Sequence, residues 1–384
     1  MRWLITCLAV LLVLAVVLVG AREDDVPMPE TGQTWVEIDG ETYGARPDDQ
    51  GPIGGGVGYA HIVTDGNYRA KTIDELLDAL SKAKAGEIIF IDPAAEMDFT
   101  GLVYAEKLVL GIPGGVTLAS NRGQDGSPGA LLYSDAFQTA PLIRTLGPGV
   151  RVTGLRLRGP DPKTRLDHHR RAFSTGREDA SAYYYALPNS NGIQADHPGL
   201  QVDNCELSGW SHAAIYLTTG DYHHIHHNYI HHNQRNGLGY GVSHGYGDNC
   251  QSLIEFNFFD YNRHSIAGTG KPGNAYEARH NVEGGHAISH YFDMHGGRDR
   301  GDGTNIAGDW MRIHHNTFRR ADQPAVVIRG VPQQQAEIHH NWFAASDPSG
   351  RVFRPWPVGG ETHVLVQGNA YGVQAPEVKD RGEQ

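Results

Sequence analysis

The chain has 384 residues, a formal net charge of −12 and 49 glycines against 20 prolines. One elongated domain or two compact ones fit that length, and the acidic balance excludes a general nucleic-acid binder, whose surface would be basic. It leaves room for a polyanionic substrate, because a local cationic cleft can sit in an acidic protein.

Arg2 precedes an unbroken apolar run from Trp3 to Val19, and Val19-Gly20-Ala21 is an acceptable small-residue cleavage site. Residues 1–21 are therefore expected to be a signal peptide. An uncleaved membrane anchor is the alternative, since the run is near the lower length limit of a spanning helix. Either way the folded part is expected outside the cytoplasm: secreted, periplasmic or on the cell surface. Beyond Cys7 in that segment, Cys205 and Cys250 are the only cysteines, and a disulfide between them is open in an oxidising compartment. Residues 22–66, rich in Gly, Asp and Pro, read as a linker and irregular lead-in. Thr72 to Glu75 is a capping box, followed by Leu76, Leu77 and Leu80 on one face, which predicts a helix to about Ala85. The apolar run Ile88 to Ile91 follows as a buried strand. A helix here covers a sheet end that otherwise exposes unpaired backbone groups.

Seven later segments share an apolar residue, two variable residues and a fourth position that is usually Asn. They are Val202–Cys205, Ile225–Asn228, Ile254–Asn257, Ala278–Asn281, Ile313–Asn316, Ile338–Asn341 and Val366–Asn369. Their first residues are separated by 23, 29, 24, 35, 25 and 28 positions. A period in this range marks a stacked solenoid, in which one coil cannot bury its face alone. Asn suits the place because it tolerates left-handed backbone geometry at a bend and its amide can bond the Asn one coil away. Cys205 takes that place in the first coil and is expected as a buried thiol. Between these segments lie second runs: Ala214–Leu217, Leu238–Val242, Ser265–Gly268, Tyr291–His295 and Ala325–Arg329. Two or three short strands per coil, with coils about 4.8 Å apart, describe an all-β parallel β-helix with a short N-terminal capping helix. Its body spans residues 67–371, and residues 372–384 form a polar tail.

The layout resembles the right-handed parallel β-helix of the pectin-lyase-like superfamily. Gly114–Gly123 and Gly149–Gly159 are similar to early coils of such lyases. Members generally work on the face of one sheet and in the loops after it. Mapped here, that sheet is the second set of runs, with Asp293 and Tyr240 pointing outward two coils apart. His244, Lys271 and Arg298 then fall in the following loops, and His295 and Arg329 end their strands. More narrowly, Phe292-Asp293-Met294-His295 resembles the FDPHD signature of β-helical alginate C5-epimerases, with Met294 and Gly296 where that signature has Pro and Asp. The resemblance implies His295 as the base and Arg329 as the cation facing a substrate carboxylate. The Arg-x-Pro-x-x-Arg motif of calcium-dependent pectate lyases is absent.

The residues from Arg263 to Arg298 carry a reading of their own. Asp293 and His295 are two apart and leave one face of a strand, while Phe292 and Met294 take the other. His290 shares parity with Phe292 and Met294 and is expected inward or in a turn. The candidate catalytic residues are His295, Asp293, His264, Arg263 and Tyr240, and the candidate substrate-binding residues are Lys271, Arg298, Arg329 and His244. No cofactor is required. A divalent cation such as Ca²⁺ is possible, held by Asp293 and His295 with His264 or His244. The tract His223 to His232 resembles a metal site, but His-His-Asn recurs at His314–Asn316 and His339–Asn341, which makes it repeat architecture. The column Asp203, His226, Glu255, Arg279, His314 and His339 is expected as a solvated face.

These residue types fit removal of the proton next to a uronate carboxylate, once a cation neutralises that carboxylate and a base of suitable pKa takes the proton. Returning a proton to the leaving oxygen completes β-elimination; returning it to the opposite face gives the epimer. The expected function is an exported lyase acting, as a monomer, on a uronic-acid-containing polysaccharide. C5-epimerisation, glycoside hydrolysis and non-catalytic glycan binding are the alternatives. Hydrolysis needs two carboxylates about 5–10 Å apart, whereas the second runs offer Asp293 as their clear outward carboxylate, with Asp299 and Asp309 in reserve.

Overall fold

The computed structural model describes residues 28, 30–174, 176, 178–245, 247, 249–355 and 360–379. The expected signal or anchor segment lies outside them. Among the described residues, no helix is long and apolar enough to cross a membrane.

From residue 31 onward the chain is mostly β. Three parallel sheets hold eleven, eleven and nine strands, the second closed by an antiparallel strand at Glu377–Lys379. The chain visits them in rotation, so neighbours within a sheet are one circuit apart, a solenoid-like arrangement. In one column Val152, Val202, Ile225, Ile254, Ala278, Ile313, Ile338 and Val366 pair in register. All are buried in one continuous apolar core. The helix α1 (Ile73–Lys82) carries the Thr72–Glu75 capping box and buries Leu76, Ala79 and Leu80; it ends at Lys82 rather than near Ala85. Four further helices decorate the coils: α2 (Thr100–Glu106), α3 (Leu166–Ser174), α4 (Ala180–Tyr185) and α5 (Gly297–Arg300).

The corner after the column explains the recurring Asn. Asn228, Asn257, Asn281, Asn316 and Asn341 each donate from Nδ2 to Oδ1 of the next Asn, ending at Asn369, all at 3.0 Å. Each also donates to a backbone carbonyl near the preceding corner, as Asn228 does to Val202 at 2.8 Å. The left-handed residue of the bend is the one before the Asn, namely His227, Phe256, His280, His315, His340 and Gly368. The expectation that Asn itself adopts that geometry is corrected: Asn turns inward to bond its counterparts, and its predecessor absorbs the bend.

Two further expectations change. Cys205 and Cys250 are separate buried free thiols, facing the carbonyls of Val152 and Leu217 at 3.6 Å each. Burial pushes both up to about 12. The column expected to be solvated is covered at one end, with Asp203, His226 and Glu255 buried, because the lead-in packs over it. Tyr59 donates to Asp203 at 3.0 Å, and Asp48 lies 3.1 Å from His227. Gly55 must be Gly, because a Cβ there would sit 2.3 Å from the His227 carbonyl oxygen. The hairpin Trp35–Ile38 with Glu41–Gly44 extends the same cover, Gly44 donating to the His340 carbonyl at 3.0 Å.

Candidate active site

The nine-stranded sheet carries the second runs. Asn191–Ala195, Ala213–Leu217, Tyr240–His244, His264–Gly268, Phe292–Met294 and Val326–Ile328 are successive neighbours in it. Each of the middle strands turns two consecutive residues inward. Ala214 with Ile215, and Tyr291 with Phe292, lie in the main core. Gly241 precedes core Val242, and a Cβ on it would meet the Phe259 ring at 3.0 Å. Ser265 precedes core Ile266 and donates to buried Glu283 at 2.5 Å. Strict alternation is thereby broken, and outward residues recur three apart. One outer row holds Ala213, Tyr240 and His264, the other Tyr216, Ser243, Ala267 and Asp293, in register; His290 continues the first, its ring 3.9 Å from that of His264.

A groove of about 710 Å³ lies over these rows. Tyr240, Arg263, His295 and Arg329 line it, together with Ser181 and Tyr185 from α4 and Asp299 from α5. Asp293 and His264 are fully buried beneath the floor. Arg329 grips Asp293 with Nε on Oδ1 at 3.0 Å and Nη2 on Oδ2 at 2.7 Å, a bidentate pair that fixes both partners. His295 Nε2 stands 3.0 Å from the same Oδ2, His290 Nε2 at 3.2 Å and His264 Nε2 at 3.8 Å. The His295 side chain is 27% exposed to the groove. Burial alone would raise the Asp293 pKa, but the imidazoles of His290, His295 and His264 outweigh it and hold the carboxyl well below its ordinary range. Burial lowers His264 and His290, each with a cation nearby. Burial also raises the Tyr240 phenol, despite the Arg263 guanidinium 5.9 Å from its ring centroid.

Three nominated residues lie apart from this group. His244, expected in a loop, instead ends its strand. It takes an inward position, fully buried, with Nε2 2.6 Å from Ser252 Oγ, and burial lowers it to about 3. Arg298 is exposed on α5, and Lys271 is half-buried in the loop after the His264–Gly268 strand. Neither lines the groove.

Residues missed from the sequence are His290 and the far end of the groove, Asn191, His212 and Tyr216. His290 escaped because the double inward step puts it outward. The signal for it was its place one circuit after His264 and two after Tyr240 in the same row. His212 Nδ1 is 2.6 Å from Asn191 Oδ1, and its ring meets those of Tyr216 and Tyr240 edge-on at 4.9 and 5.6 Å. Burial lowers His212 to about 4.

Calcium takes six to eight oxygen donors. The groups gathered here are imidazoles and one carboxylate already gripped by Arg329, a donor set that does not suit it. His244 cannot join any such set from the interior.

No family model and no curated protein matches this chain. Among solved structures, an alginate lyase from Paenibacillus sp. str. FPU-7 is similar, with a TM-score of 0.54 and 15% sequence identity. The match covers 79% of this chain and 94% of that one, and the likeness is one of fold.

Proposed function

We propose that the protein is an exported polysaccharide lyase that cleaves a uronic-acid-containing polysaccharide by β-elimination, working as a monomer. We read its fold as a right-handed parallel β-helix of the pectin-lyase-like superfamily. The observation that carries the functional reading is the pairing of groove-facing His295 with a buried, Arg-gripped Asp293. A carboxylate favours the imidazole proton on the nitrogen that faces it, so Nδ1 of His295 keeps a lone pair for the substrate. In this scheme His295 Nδ1 takes the proton from the carbon next to the uronate carboxylate. The electron pair left behind forms a carbon–carbon double bond, and the bond to the glycosidic oxygen breaks. Tyr240, whose phenol burial keeps protonated, returns a proton to the leaving oxygen. Arg263 and Arg329, whose Nη1 lies 3.7 Å from Asp299 Oδ1, neutralise the uronate carboxylate, the condition for its neighbouring proton to be removed. Asp293 and His264 are positioning residues beneath the floor. Lys271 and Arg298, close along the chain to groove-lining Thr269 and Asp299, are assigned outer contacts with the polymer.

Among the described residues Asp299 is the single carboxylate lining the groove, which favours elimination over two-carboxylate hydrolysis. The name of the structural neighbour makes alginate the first polymer to try. Incubation with alginate, pectate, glucuronan and glycosaminoglycans tests the reading. Elimination generates unsaturated ends that absorb in the ultraviolet and shortens the chains. Epimerisation changes the uronate composition at constant chain length, and that outcome would transfer the same residues to the epimerase scheme.

A further inference from the structure

We propose that His264, His290 and Asp293 bind one divalent transition-metal ion, of the zinc class, beneath the floor of the groove. One ligand atom from each lies within 4.8 Å of the other two. His264 Nδ1 is 2.7 Å from the His290 carbonyl oxygen. A carbonyl only accepts, so Nδ1 carries the hydrogen and Nε2 of the neutral ring presents a lone pair. That nitrogen belongs to a fully buried side chain and has no hydrogen-bond partner. It faces a carboxylate oxygen 3.8 Å away. Two electron-rich atoms aimed at one another out of water repel unless something positive lies between them.

His290 supplies the second imidazole, its Nδ1 standing 3.3 Å from the Ser289 hydroxyl, which can donate to it or accept from it. Its Nε2 is 3.2 Å from the same oxygen, yet it makes no directional hydrogen bond to it. The His264 and His290 rings lie 3.9 Å apart between centroids, which brings both Nε2 atoms close to the same carboxylate oxygen. Two imidazoles and a carboxylate are the donor set of zinc and its first-row neighbours, not of calcium or magnesium. Bonds of about 2.0–2.1 Å would draw the three atoms to about 3.4 Å apart, a modest tightening. Arg329, donating to both oxygens of the carboxylate, takes the place of the outer partner that orients a ligating group. An ion here stands behind Asp293 and fixes the floor.

The test needs no substrate, so its failure and that of the lyase scheme are distinguishable. The full-length protein is stripped with EDTA, loaded with Zn²⁺ and freed of excess by gel filtration, and its metal is counted by mass spectrometry. One zinc per chain is expected, falling at least tenfold in His264→Gln and in His290→Gln and unchanged in His315→Gln, which alters the histidine-rich corner. No retained zinc in the unsubstituted protein, or zinc retained by both floor variants, overturns the site. Should the floor variants fail to fold, Co²⁺ loaded into the unsubstituted protein decides instead. Visible ligand-field absorption with proton resonances shifted from two imidazoles supports the site; their absence contradicts it.

Discussion

Histidine is concentrated in two regions of this molecule, and they use it in opposite ways. At the Asn corner it recurs with the coil. His226 with His227, His314 with His315 and His339 with His340 bring Nδ1 atoms to 3.0, 2.9 and 2.8 Å, and His231 with His232 do so at 2.7 Å at the next corner, before Asn233. Rings also stack from coil to coil, Phe256 on His280 at 4.9 Å, His280 on His315 at 5.0 Å and His315 on His340 at 5.0 Å. Outer partners complete the pairs: Glu277 lies 3.2 Å from His314 Nε2, which leaves Nδ1 of His314 to accept from His315. On the groove floor, His264, His290 and His295 converge on one carboxylate, with no such set among the described residues of the coils on either side. Repetition satisfies imidazoles by pairing them, whereas convergence concentrates their unspent valence on one point.

Substitutions at the two regions should therefore differ in kind. The largest effect is expected from His295→Ala, which should lower kcat on the cleaved polymer by about 10²–10⁴-fold, the range for loss of a general base. Its circular dichroism and urea midpoint should stay near those of the parent. His315→Ala should do the reverse, leaving kcat within a few-fold of the parent. Next comes Asn281→Ala. It strips Asn257 and Asn316 of their amide partners inside the stack. At about 1–3 kcal/mol for each buried group left unsatisfied, urea unfolding should register a loss of about 3 kcal/mol. Arg329→Met should cost about 2 kcal/mol, less than a fully enclosed pair because its side chain is 30% exposed. It should also weaken turnover by removing a cation from the groove. An Arg329→Met variant as stable as the parent would mean that Asp293 does not depend on that grip.

The smallest effect probes the corner by pH. Burial lowers His226, His314 and His315 to about 3 and His280 to about 4. Below the ordinary imidazole pKa the unfolded chain binds these protons and the folded chain does not, so stability falls as pH drops. The decline should begin below about pH 6.5 and continue towards the folded values, read as a falling urea midpoint. His315→Phe, which keeps a ring in the stack and removes one of these protons, should make the decline shallower. An unchanged slope would detach the corner from acid sensitivity.

How much of this was legible in the chain follows the same division. The corner could be read because its Asn positions recur, and those side chains bond one another. The groove could be read in part. Tyr240, Arg263, His295 and Arg329 meet because equivalent positions of successive coils become neighbours. His290 and His244 were misplaced for different local reasons: strand parity, a rule for regular strands, fails before Phe292, and the strand that holds His244 is longer than expected. The pair Tyr291 and Phe292 both face inward, and the Tyr240–His244 strand runs past Val242 far enough to carry His244 inside. Residues 48–59 were read as lead-in, since nothing in a Gly-rich stretch announces which corner its glycines must approach. His212, Asn191 and Tyr216 had no charge pattern to mark them; Tyr216 shares a column with Ser243, Ala267 and Asp293, and Asn191 shares the other with Ala213, Tyr240 and His264.

The most direct measurement is the ultraviolet absorbance of alginate and related polyuronates mixed with the unsubstituted protein, with His295→Ala and with His315→Ala. A steady rise for the first and third, nearly abolished for the second, is the predicted result. No rise with any polyuronate, or an equal rise in His295→Ala, would contradict the assignment of proton removal to the imidazole beside Asp293.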